Sequence, residues 1–138
     1  MPALVYILVL VVFAAMDTVW LSNMVGRAYR PLIGEILADQ PRLVPAAVFY
    51  LLYAAGLTMF AAAPAAPAGA WRSALVTGCA LGLFAYGTYD LTNYATLRVW
   101  GARITLIDLS WGVVASGLSA AVAVALAPRL ARAVGLTP

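Results

Sequence analysis

Apolar residues fill four long stretches of the chain, at 3–24, 43–62, 73–97 and 101–127, and polar residues collect in the breaks between them. Each stretch supplies the roughly 20 residues that a helix needs to cross a hydrocarbon core. The pattern predicts an all-α, integral membrane four-helix bundle, read as one polytopic domain over residues 1–138. Pro45 suits the first turn of the second helix, while Pro64, Pro67 and Gly69 are expected to stop that helix and form the second loop. The third loop, 98–101, is so short that the last two helices must form an antiparallel hairpin, with Gly101 as the expected turn residue. After the first span, residues 25–40 place Arg27, Arg30, Glu35 and Asp39 among Leu32, Ile33, Ile36 and Leu37, as in a segment lying along the membrane interface. The apolar run at the amino end has no basic residue before it and continues past Ala15 to Met24, so it reads as a retained span rather than a cleaved leader.

Composition strengthens the membrane reading, since 65% of residues are hydrophobic and only 9% charged. The net charge of +3 rests entirely on arginine, there being no Lys or His. These arginines are scattered over loops and a tail, which excludes the dense basic face of a nucleic-acid-binding protein. Arg27, Arg30, Arg42, Arg98 and Arg103 fall on one side, against Arg72, Arg129 and Arg132 on the other. The positive-inside rule then sets the first and third loops in the cytoplasm and both termini outside. Cys79, the single cysteine, excludes an intrachain disulfide and reads as a packed thiol.

Three acids interrupt the apolar stretches. Asp17 lies seven residues before Met24, Asp90 seven before Leu97, and Asp108 seven after Gly101. In an up-and-down bundle these offsets put all three about 10 Å beneath the same membrane face. Each carries an insertion penalty of roughly 2.5–3.5 kcal/mol at the bilayer centre, so they are expected to face inward as a three-carboxylate polar site. On the third helix Gly78, Gly82, Tyr86, Asp90 and Asn93 form one stripe, whose small end suits close helix packing and whose polar end suits binding. Phe13, Asp17, Trp20 and Met24 share a face of the first helix, and Asp108, Trp111, Gly112, Ala115 and Ser119 a face of the fourth. Tyr50 and Tyr53 sit at similar depth and are expected to donate to the carboxylates, with Thr88, Thr92 and Thr105 as further donors. The four tryptophans, Trp20, Trp71, Trp100 and Trp111, read first as interfacial anchors, although Trp20 and Trp111 each follow an Asp by three residues and therefore border the site.

Without His, and with one mid-helix Cys, the chain lacks the usual zinc, haem or thiol ligands, and no metal or cofactor is assigned. Carboxylates, phenols and an amide suit a cation, a proton relay, or a cationic or hydroxylated solute covered by aromatic rings. The candidate pocket is therefore Asp17, Trp20, Tyr50, Tyr53, Tyr86, Asp90, Asn93, Asp108 and Trp111.

The motifs Asp17-x-x-Trp20-Leu21, Tyr89-Asp90-x-Thr92-Asn93 and Asp108-x-x-Trp111-Gly112, in this order and in separate spans, resemble domain-of-unknown-function family 2177 of bacterial membrane proteins. The resemblance implies a four-helix, multi-pass protein of the bacterial inner membrane and brings no established reaction with it. Binding or translocation of a cation, proton or small polar solute is the expected activity. A lipid-acting enzyme using an Asp as general acid or base, or an accessory subunit, is the alternative. Partners besides the lipid bilayer would be further copies of the chain or a larger membrane complex, because so small a bundle has little room for a pore.

Overall fold

The computed structural model describes residues 1–135 and contains no β-strand among them. Its long helices are α1 (Pro2–Met24), α2 (Leu43–Leu57), α3 (Trp71–Thr96) and α4 (Ala102–Ala133). With their continuations, Pro2–Ile36, Leu43–Ala65 and Ala102–Ala133 are long and apolar enough to cross a membrane. α3 is about 39 Å long, sufficient to span, but its polar stripe lowers its hydropathy. It completes the bundle by turning that stripe onto α4. Outward positions are apolar, with Leu43, Val44, Leu52 and Val76 strongly exposed, as lipid-facing side chains are.

Two helices continue past their expected ends, by the same device. α1 passes through a π turn at Val25–Tyr29 into one further α turn, Arg30–Ile33, and α2 passes through a π turn at Thr58–Ala62 into Ala63–Ala65. Each π turn ends two residues before a proline, Pro31 or Pro64. A proline ring collides with the carbonyl four residues back and offers no N–H to it; the wider turn relieves both problems. Pro64 therefore does not stop the second helix as expected: Ala63 N–H bonds back to Thr58 O, and the loop starts only after Ala65. Gly69, at φ 59°, supplies the left-handed residue of that loop.

The α3–α4 hairpin is the tightest part of the fold. Its register pairs Asp90 with Asp108, Tyr86 with Gly112, Gly82 with Ser116 and Gly78 with Ala120, stepping by four residues on both helices. A methyl group on Gly82 would lie 2.4 Å from Gly112 O, and one on Gly78 2.8 Å from Ser116 O, so the backbones touch where the glycines are. Gly101 is not the turn residue: at φ −122° and ψ 177° it is extended and caps the start of α4, leaving the turn to Arg98 and Val99. α4 also runs beyond residue 127, so Arg129 and Arg132 ride on a helix rather than in a tail.

α1 packs along α4 through Val5, Val9 and Phe13, which meet small residues such as Ala115, Ala120 and Ala123. α2 contacts α1 along its length, but it meets α3 chiefly at the Thr58–Ala62 end. Above that junction α2 and α3 diverge. At the other end, Ile33 of the α1 continuation packs on Ile104 and Trp100, which closes the face above Asp108. Trp100 is only 5% exposed and meets Tyr89 edge-on, so it is a buried wedge and not the expected interfacial anchor. Trp71 is exposed, with the Arg72 guanidinium over its ring, as an anchor would be.

Candidate functional site

All three membrane aspartates are buried: Asp17 is 6% exposed, Asp90 0% and Asp108 8%. They divide into a pair and a single acid. Asp90 and Asp108 face each other closely enough to interact directly, as the hairpin register dictates, with Asp108 on the more open side. Among the described residues no donor other than the facing Asp108 carboxyl is placed to reach Asp90. Asp17, on α1, accepts from Tyr50 OH at 2.5 Å and from Trp111 Nε1 at 2.8 Å and makes no direct contact with the pair, though its charge reaches Asp108. Among the described residues no three acids come close enough to share a metal ion. The expected three-carboxylate cluster is thus two linked centres.

The link is aromatic. Trp20 and Trp111 stack at 4.5 Å with an interplanar angle of 3°. Trp20 Nε1 donates to Tyr29 OH at 3.0 Å, and Tyr29 OH in turn donates to Asp108 Oδ1. The indole on α1 thereby serves the acid on α4, through a phenol, and the indole on α4 serves the acid on α1. Both tryptophans belong to the site, where an anchor role had been the first expectation.

Other expected members divide cleanly. Tyr50 reaches a carboxylate but Tyr53 does not; its hydroxyl lies 2.7 Å from Ser116 Oγ. Because Ser116 spends its own proton on Gly112 O, Tyr53 is the donor of that pair. Thr88 and Thr105 bond back to carbonyls of their own helices, Phe84 O and Gly101 O, and Thr92 donates to no carboxylate. Asn93 makes no hydrogen bond to an aspartate and lies beside Tyr89 instead. Tyr86 lies with its ring against Gly112, where a methyl group would fall 2.1 Å from the ring, and its hydroxyl makes no side-chain hydrogen bond to an aspartate among the described residues. Tyr29 and Ser116 were not among the expected members.

The divergence of α2 from α3 opens a cleft of about 350 Å³, lined by Phe49, Tyr53, Ala85, Tyr86, Tyr89 and Asp108. Four of the six are aromatic, and Asp108 is the charged one. Phe49 stacks on Tyr53 at 5.6 Å, and Tyr53 meets Tyr86 edge-on at 6.0 Å, which fixes the ring walls. This volume is at the small end of the roughly 300–1,000 Å³ usual for small-molecule sites.

Fold and site together define an all-helical membrane protein with an acidic pair held between its last two helices. The chain belongs to the family described as predicted membrane protein (DUF2177), whose pattern matches residues 2–125. No curated protein and no solved structure matches it.

Proposed function

We propose that this protein binds a small organic ammonium ion in the cleft between α2 and α3. One observation carries the reading: Asp108, backed by the buried Asp90, lines a cleft walled by Phe49, Tyr53, Tyr86 and Tyr89. Carboxylates and ring faces both favour a cation, and both gain strength where water is excluded. Asp108 would accept the ammonium hydrogens with the Tyr86 hydroxyl as a second acceptor, and Asp90 would back Asp108 from behind. Binding is favoured over group transfer because no nucleophile with an activating base lines the cleft, whose polar groups are phenols and one carboxylate. In a bacterial inner membrane, with the first and third loops inward, a single bundle would act as a binding unit. Translocation would call on further copies or a larger complex.

Ligand-observed saturation-transfer NMR on the protein in lipid nanodiscs tests this, with benzylammonium compared against neutral benzyl alcohol. Transfer to benzylammonium that disappears in Asp108→Asn is expected. Equal transfer to both compounds, or transfer unchanged in Asp108→Asn, would refute the reading.

A further inference from the structure

The aromatic cleft does not end at Tyr53. A second cavity of about 210 Å³ continues from it between α2 and α3, sharing Phe49, Tyr53 and Ala85 and adding Leu52, Gly56, Phe60 and Leu81. The added walls carry no polar side chain. Three of the wall residues, Leu52, Phe49 and Phe60, are also exposed on the bundle's outer surface, so the groove is open along its side to the lipid. Gly56 belongs to its floor, and a side chain built there would meet nothing within 4 Å. At the far end the helices close at Thr58–Ala62. The whole is an elongated slot, charged at one end and apolar along the rest.

From this we infer that the ammonium ligand is an amphiphile taken sideways from the bilayer, with its head at Asp108 and one hydrocarbon tail in the groove beside Gly56. The inference rests on the ammonium reading above and adds the tail and the route of entry. Charge complementarity orients the molecule: the head goes to the carboxylate pair, and the only lining continuous with that position is apolar. A solute arriving from water would need a polar passage, whereas the side opening faces acyl chains. The second cavity, at about 210 Å³, is smaller than the first, at about 350 Å³, which favours one tail over two.

Photo-crosslinking separates the two claims. A dodecylammonium probe carrying a diazirine at mid-chain is photolysed with the nanodisc-embedded protein, and its adducts are mapped by mass spectrometry. Adducts are expected on the half-buried Leu81, lost in Asp108→Asn and reduced by about tenfold in Gly56→Phe, which fills the groove. Benzylammonium, which has no tail, serves as the parallel probe of the head site and is expected to bind Gly56→Phe as it binds the wild type. If benzylammonium binds with dependence on Asp108 while the mid-chain adducts spread over outward residues such as Leu43 and Val76, the tail inference is wrong and the head site stands. If benzylammonium does not bind the wild type, the head site is wrong and this inference falls with it.

Discussion

Trp20 and Trp111 stack face to face at 4.5 Å while each sends its indole N–H toward the acid on the opposite helix, Asp108 through Tyr29 and Asp17 directly. This crossed arrangement ties α1 to α4 at the depth of the acids. Hydrogen bonds to a charged group contribute about 1.5–3 kcal/mol, so Trp111→Phe, which keeps a stacking ring but removes the donor, should destabilise the protein by about that amount. Thermal unfolding in detergent measures it. Tyr50→Phe removes the other donor to Asp17 and should cost a similar amount. Because both variants strip the same carboxylate, the double variant should depart from additivity.

The seam between α3 and α4 should discriminate sharply among glycines. Gly82→Ala places a methyl group 2.4 Å from a backbone carbonyl that cannot move alone, and Gly112→Ala places one inside the Tyr86 ring. Both are expected to lose about 1–3 kcal/mol, the usual cost of overpacking. Gly26→Ala has nothing within 4 Å and should change the unfolding midpoint little or raise it. Equal midpoints for Gly82→Ala and Gly26→Ala would mean that the helices do not meet at Gly82.

Asp90 and Asp108 should respond differently to neutralisation. Asp90→Asn supplies an amide donor beside Asp108 and removes a buried acid that has none of its own, so it should raise stability by about 1–2 kcal/mol. Asp108→Asn leaves Tyr29 without its charged acceptor and should lower it. Midpoints from thermal melts of the two variants should move in opposite directions.

Much of the seam was legible in the sequence, and the reason is geometric. A loop as short as 98–101 fixes an antiparallel register, so equal offsets of seven on its two sides bring Asp90 to Asp108 and then carry Gly82 and Gly78 onto α4. What was not legible depends on phase and height. The stripe Phe13, Asp17, Trp20 and Met24 continues to Ala28, which is indeed buried, but the π turn inserts a residue and brings Tyr29 to Asp108. The one local signal for it was Pro31, two residues past that turn. Tyr50 and Tyr53 share a face but differ by about 4.5 Å in height, which is enough to give one an aspartate and the other Ser116. Trp20 and Trp111 carried two expectations, anchor and pocket member, because an indole near a membrane face commonly anchors there, and only the packed structure shows where each N–H points.

The two proline-linked π turns make a further prediction. Pro31→Ala restores an N–H and removes the ring that favours the wide turn, so the segment should relax toward a regular helix and rotate Tyr29 away from Asp108. Since Trp20 Nε1 bonds to Tyr29, the tryptophan near-ultraviolet circular dichroism should change in Pro31→Ala. Tyr29→Phe should produce the same change, and Pro45→Ala, in the first turn of α2, should not.

An organic ammonium ion held at Asp108, with Asp90 behind it, would bring its nitrogen beside a carboxyl carbon at the aromatic cleft. Rotational-echo double-resonance NMR measures this directly, using 15N-labelled benzylammonium and protein carrying 13C-labelled aspartate carboxyls in lipid bilayers. Dephasing of a carboxyl signal is expected in the wild type, absent in Asp108→Asn and retained in Asp17→Asn. No dephasing in the wild type, or dephasing that survives in Asp108→Asn, would contradict it.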